Sequence, residues 1–216
     1  MDRNFSKTIF FASNNLRALF FPVKKLNILF SKGYPNEKGV RWGFYFLHHN
    51  IRFDSFTAEN IKDSDLVVPL TIEDARVLAK SRELVKGKLL QSSSVDTVEI
   101  CDNKFLFNET LIEKGFGDLI PKIGIDLPFP YLLKKRVTLG GDQSFIVADE
   151  ASRNKLSDLI NSGDYFCQEI VEGAKECATH ILIKEGRIVN SLTVEYTFYN
   201  DRPINGKEGF ICSNII

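Results

Sequence analysis

The chain has 216 residues, 28 Lys+Arg against 28 Asp+Glu, 44% apolar residues and 26% charged ones. At 24.5 kDa, folding buries about 70% of the surface of the unfolded chain, enough for a real core. Disorder, collagen-like repeats and a disulfide-stapled miniprotein are therefore excluded. Zero formal net charge and a pI near 6.8 argue against a general nucleic-acid binder, which carries a basic excess or stripe.

Taken in chain order, residues 7–11 (KTIFF) and 25–30 (KLNILF) have the short, apolar, Asn/Ser/Gly-bounded character of strands. The stretch 41–47 (RWGFYFL) reads equally as a strand or as the end of a helix. Residues 65–70 (DLVVPL) form a compact apolar strand, and Thr71 then stands at an N-cap, with Glu73 and Asp74 in the first turn. Strands alternating with helices predict an open parallel α/β sheet, whose ligands sit beyond the carboxyl ends of strands. Residues 87–95 (GKLLQSSSV) are polar and aperiodic, a linker or loop, and the break between two domains falls near residue 95.

The second half changes period. Residues 102–115 read as a helix with Phe105, Leu106, Leu111 and Ile112 on one side and Gly115 as its stop. Pro121, Pro128 and Pro130 keep 118–130 extended or turning. Then come a strand at 131–135 (YLLKK), a glycine turn at 138–142 (TLGGD), a strand at 144–148, and a helix at 150–161 capped by Asp149. Strands at 165–171 and 177–184 follow, and the Glu185-Gly186 turn leads into an antiparallel partner at 187–196. The expected fold class is thus α/β, becoming α+β in the second half: an open parallel sheet, then antiparallel strands with a helix.

Cys101, Cys167, Cys177 and Cys212 stand 66, 10 and 35 residues apart. No CxxC pair exists, and the expectation is four buried or idle thiols in a reducing compartment. Ser13-Asn14-Asn15 and Arg17 break the N-terminal apolar stretches, so no signal h-region is expected. No run of about 18 apolar residues occurs that would span a membrane. The expectation is a cytoplasmic protein without membrane or nucleic-acid partner, its 18 Phe serving as core material. No P-loop, no Gly-x-Gly-x-x-Gly, no Gly-x-Ser-x-Gly and no His-Glu-x-x-His motif is present. His180, inside an apolar strand, reads as a structural histidine.

What remains is an ordered set that can hold a nucleoside triphosphate. Lys104 starts a helix, and Lys134 ends a strand just before Gly140-Gly141. Two lysines at separate element ends supply point charges for phosphate oxygens. A turn with two glycines lets backbone N–H groups approach a phosphate without obstruction by Cβ. The extended segment Glu169-Ile170-Val171 can offer backbone N–H and C=O to an adenine edge, and Glu176, after the Gly173 turn, can accept both ribose hydroxyls.

Residues 130–141 (PYLLKKRVTLGG), Asp102-Asn-Lys104-Phe105 and 168–176 (QEIVEGAKE) resemble the ATP-grasp superfamily, most closely its carbamoyl phosphate synthetase large-subunit type. The resemblance covers about residues 60–196. It implies a pre-ATP-grasp-like α/β domain at 1–95 and a C-terminally incomplete ATP-grasp nucleotide-binding domain at 96–216. It also implies that Lys104 and Lys134 bind ATP phosphates under Gly140 and Gly141, that Glu169, Ile170 and Val171 line the base, and that Glu176 holds the ribose. Family activity is ATP- and Mg²⁺-dependent carboxylate–amine ligation through an acyl phosphate, so the expected partners are ATP and a small-molecule carboxylate. A homodimer is compatible with the resemblance.

The chain departs from the pattern in three places. Lys134 stands where many members carry arginine, Gln168 stands where an acid is common, and no Glu-x-Asn metal motif follows Glu176. No metal ligand and no catalytic residue is therefore assigned, and Glu185, Glu195, Asp201 and Glu208 read as solvated charges. The chain is expected to be a fragment or a truncated gene product. The competing expectations are a non-catalytic ATP-grasp-fold interaction module and an unrelated α/β protein.

Overall fold

The computed structural model describes residues 24–44, 49–90, 93–138, 141, 143–204 and 209–216. The strand expected at 7–11 lies outside them, as do residues 45–47 of the ambiguous aromatic stretch. The chain divides into two compact units, Met1–Glu99 and Ile100–Ile216.

Unit 1 runs β1 (Asn27–Ser31), α1 (Glu37–Gly43), β2 (Asn50–Asp54), α2 (Ala58–Lys62), β3 (Leu66–Val68), α3 (Ile72–Lys80), a 3₁₀ turn (Arg82–Val85) and β4 (Leu89–Leu90). Its sheet is ordered β2-β1-β3-β4 with every pair parallel. That is the open parallel sheet the alternating pattern predicts. β1 is buried from Ile28 through Ser31, as a central strand covered on both faces must be. Leu29, Ile61, Val67, Leu78 and Val85 form the core, with Phe56 packed on it. Thr71 caps α3 as expected, accepting from the Asp74 N–H at 3.1 Å. The aromatic stretch at 41–47 begins inside α1, where Arg41 pairs with Glu37 one turn earlier. The supposed linker at 87–95 is partly structured, because Leu89–Leu90 adds the edge strand β4 beside β3. At the direction switch between β1 and β3, the buried Ser31 Oγ accepts the Leu70 N–H at 2.6 Å and ties the two carboxyl ends together.

α4 (Val95–Asp102) crosses the division between the units. Unit 2 continues with α5 (Lys104–Leu111), which widens into a π-helical turn at Ile112–Phe116, where Gly115 adopts φ 87°. The helix expected from 102 is thus shorter, and its packing differs. Leu106 and Ile112, two of the residues read as sharing one side, are exposed, whereas Asn108 is buried.

β5 (Tyr131–Lys135) is the central strand of an antiparallel sheet ordered β6-β5-β7, flanked by β6 (Ser144–Val147) and β7 (Tyr165–Glu169). Between β6 and β7, the expected helix 150–161 is two helices, α6 (Glu150–Lys155) and α7 (Ser157–Asn161), broken where Leu156 leaves helical geometry. Strand alternation divides the sheet. Tyr131, Leu133, Val147 and Cys167 point to one face and pack on Leu156, Leu159 and Ile160. Leu132, Lys134, Ser144, Ile146 and Gln168 occupy the alternate positions, paired Leu132↔Ile146, Lys134↔Ser144 and Leu132↔Gln168.

The last sheet is ordered β10-β9-β8, from β8 (Lys175–Lys184), β9 (Arg187–Phe198) and β10 (Phe210–Ile215). Its hairpin turns through Glu185 at φ 52° and Gly186 at φ 74°, the positive-φ pair that matches strand twist in a two-residue loop. His180 is exposed on β8 rather than held in a core. All four cysteines are free thiols, and only Cys167 is buried. No helix among the described residues is long and apolar enough to cross a membrane.

Candidate functional site

The alternate face of the β6-β5-β7 sheet floors a cavity of about 440 Å³ within unit 2. Lys104 reaches it from the start of α5. Asn103 caps that helix, its Oδ1 accepting from Phe105 and Leu106 N–H, and the Lys104 N–H donates to the Arg136 carbonyl at 2.8 Å. The Arg136 guanidinium lies 4.0 Å over the Phe105 ring, and Phe105 meets Phe166 edge-on at 5.5 Å. The start of the helix is thereby docked on the end of β5. Lys104 Nζ donates to the carbonyl of Thr138, the first residue of the glycine turn.

Lys134 comes from β5, where its even position puts it on the cavity face. Its Nζ donates to Gln168 Oε1 of β7 at 3.0 Å. Burial pushes the Lys134 ammonium below the ordinary lysine value; the charge of Lys104 pushes the same way, and Glu176 opposes both. Burial lowers Lys104 too, against the opposing charge of Asp102. Two partly desolvated ammonium groups thus face one cavity, and the charge of Lys104 lowers the Lys134 pKa further.

Glu169, Ile170, Val171, Glu176 and Gly141 also line the cavity. β7 ends at Glu169, so the backbone of Ile170 and Val171 leaves the ladder at the cavity rim. The Glu169 N–H is already committed to the Lys122 carbonyl at 2.8 Å, which leaves its C=O as the backbone group available to a base. The Gly141 carbonyl accepts the Ser144 N–H at 3.0 Å. Seven of the eight residues singled out in the sequence thus meet in one cavity, and the eighth, Gly140, lies outside the described residues.

Sequence reasoning missed other parts of the lining. Leu132, Ser144 and Ile146 were legible in principle from the period-two positions of β5 and β6. Pro121, Arg202, Pro203 and Ile204 carry no local signal. Of the acids read as solvated, Glu195 pairs with Lys175 across the β8–β9 hairpin at 3.0 Å, and Glu208 lies outside the described residues. No group of three or more His, Cys, Asp or Glu side chains gathers among the described residues.

No family model and no curated protein matches the sequence. Solved structures do. The L-amino acid ligase of Bacillus licheniformis superposes with a TM-score of 0.57 at 14% identity, over 87% of this chain and 55% of that one. A carboxyaminoimidazole ribonucleotide synthase from Aspergillus clavatus, complexed with ATP, gives 0.53 at 17% identity over 88% and 51%. A RimK domain ATP-grasp protein of Sphaerobacter thermophilus gives 0.50 at 12% identity over 87% and 90%. The chain has the ATP-grasp fold. At these identities the likeness is one of fold alone, and the chain spans about half the length of the first two ligases. Among the described residues, unit 1 holds a parallel sheet and unit 2 two antiparallel sheets.

Proposed function

We propose that the chain binds ATP in the unit 2 cavity and belongs to an ATP-dependent ligase that joins a carboxylate to an amine or related nucleophile. The observation that carries this reading is the convergence of Lys104, Lys134, Gly141, Glu169, Ile170, Val171 and Glu176, drawn from five separate segments, on one cavity. Its volume of about 440 Å³ falls within the usual range for small-molecule sites.

In this reading Lys104 and Lys134 hold the triphosphate as point charges, with Gly141 and its neighbour Gly140 covering it. The Glu169 carbonyl and the Val171 N–H read the base, whose ring lies among Leu132, Ile146, Ile170 and Ile204. Glu176 accepts the ribose hydroxyls. Unit 1 takes the part of the pre-ATP-grasp domain. The closer likeness to the carbamoyl phosphate synthetase large-subunit type is supported by the sequence motifs.

The cavity suits the nucleotide: it has cations at one end, apolar side chains in the middle and exposed strand backbone at the rim. It does not suit a magnesium ion held by protein carboxylates alone, since the described residues supply no such cluster. The chemistry proposed is transfer of the terminal phosphoryl group to a substrate carboxylate, giving an acyl phosphate and ADP, then displacement of phosphate by the nucleophile. The part of these residues is to bind and orient the triphosphate and to balance its charge.

Titration calorimetry with ATP and Mg²⁺ tests the binding, with uptake expected at micromolar to millimolar ATP. Undetectable binding at millimolar ATP overturns it. A screen for ADP release over small carboxylates paired with amines then tests the ligase step.

A further inference from the structure

Two stretches of unit 2 that approach the cavity rim are fastened to each other. One is the exit of β7, where Ile170 and Val171 line the cavity; the other is the loop after β9, where Arg202, Pro203 and Ile204 line it. The Gly173 N–H donates to the Asp201 carbonyl at 2.7 Å, and the Phe198 N–H donates to the Ala174 carbonyl at 2.7 Å. Arg202 Nε donates to Glu172 Oε1 at 2.8 Å, and a terminal guanidinium nitrogen reaches the same oxygen. The Asn200 side chain accepts the Arg202 N–H at 2.8 Å, an Asx-type turn that sets where the arginine leaves the loop. The three links between the stretches join residues 172–174 to residues 198–202, directly beyond Val171 on one side and directly before Pro203 on the other.

We infer that the Arg202–Glu172 pair clamps the base-reading segment to the neighbouring stretch of the cavity lining at Pro203 and Ile204, so that Arg202 is a positioning residue for the base and not a ligand of the phosphates. The inference rests on the ATP reading above. Its logic is geometric. A base that touches both Ile170–Val171 and Pro203–Ile204 is gripped only as firmly as those segments are held together. The backbone bonds set their spacing, and the ion pair is the side-chain link of the seam. Both charges of that pair are about half exposed, at 46% and 60%. Removing one therefore strands no buried charge, and the fold should survive. The phosphate-side cations Lys104 and Lys134 stand on α5 and β5, which the clamp does not include.

The test compares the wild type, Arg202→Gln and the exchanged pair Glu172→Arg/Arg202→Glu by calorimetry, with ATP·Mg²⁺ and with inorganic tripolyphosphate as ligands. Arg202→Gln should weaken ATP binding about fivefold, the scale of an exposed ion pair, while tripolyphosphate affinity stays at the wild-type value. The exchanged pair should recover most of the lost ATP affinity. Unchanged ATP affinity in Arg202→Gln, an equal loss for tripolyphosphate, or no recovery in the exchanged pair overturns the clamp. A wild-type chain that takes up tripolyphosphate but no ATP overturns the nucleotide reading itself, before any variant is compared.

Discussion

Lys134 and Gln168 meet across the β5–β7 pair, the lysine Nζ donating to the glutamine Oε1 at 3.0 Å. The amide supplies an acceptor of the right geometry but no negative charge, so this contact orients the ammonium without neutralising it. The neighbouring Lys104 lowers the Lys134 pKa further. Glu176 alone opposes that shift, and on the proposed reading the phosphates of ATP supply the remaining counter-charge.

Removing that ammonium should therefore weaken ATP binding. Lys134→Ala deletes a charge-assisted hydrogen bond and is expected to cost about 1.5–3 kcal/mol of binding free energy, read by calorimetry against the wild type. Gln168→Glu should also weaken ATP binding, because it places a counter-charge beside Lys134 and adds repulsion toward phosphate. If both variants bind as the wild type does, the phosphates lie elsewhere.

The same lysines make binding proton-linked. Each has its pKa lowered from 10.5 in the folded chain, so between the lowered value and 10.5 the unfolded chain holds more protons than the folded one. In that window these groups make stability rise with pH, as the cost of the desolvated ammoniums is relieved. Anion binding runs the other way, because it favours the charged forms. On the alkaline side, ATP uptake should draw in protons and weaken as pH rises. Calorimetry in buffers of different ionisation enthalpy measures the proton count, and zero uptake throughout that range would falsify the linkage.

Leu133 is fully buried, on the face of β5 that packs against Leu156 and against Leu159 and Ile160 of α7. Leu133→Ala should destabilise unit 2 by about 2–5 kcal/mol, through lost transfer energy and the cavity left behind. Chemical denaturation followed by circular dichroism checks this. A loss under about 1 kcal/mol would mean that the site collapses around the void.

Asp149 caps α6, with the Ser152 N–H donating to its Oδ1 at 2.8 Å and Ser152 Oγ accepting from the Asp149 N–H at 3.0 Å. Hydrogen bonding to the carboxylate from the Ser152 backbone N–H, and then from its side chain, holds the carboxyl below its ordinary value of 3.8. The cap's contribution is thus complete above the unfolded value and disappears as pH falls through the folded one. Asp149→Asn should flatten the acid limb of a thermal-stability profile and leave neutral pH nearly unchanged, since asparagine also caps well. An acid limb identical to the wild type's would show that Asp149 does not contribute to it.

Strand 131–135 coincides in sequence and structure because its signals are local: apolar residues alternate toward a core, and Pro130 stands immediately before it. The Thr71 and Asp149 caps and the Glu185-Gly186 turn were legible for the same reason, since each motif satisfies its own backbone within a few residues. The helix now described as α5 shows the limit of that reading. Spacing says which side chains share a face of a helix, but not which face meets the core. Leu106 and Ile112 proved exposed and Asn108 buried. The break at Leu156 between α6 and α7 is of the same kind, because no glycine or proline marks it.

By itself, then, the sequence determined the parallel-then-antiparallel architecture, most strand and cap positions, and the residue types able to hold a triphosphate. Tertiary structure alone decided that Lys104 and Lys134, thirty positions apart, line one cavity where the charge of Lys104 lowers the Lys134 pKa, and that a neutral Gln168 orients Lys134. It also decided that Arg202, Pro203 and Ile204 join Ile170 and Val171 in lining the same cavity. The physical reason is range. Caps, turns and alternation act within a few residues, whereas desolvation and charge coupling depend on which distant strands the sheets bring side by side.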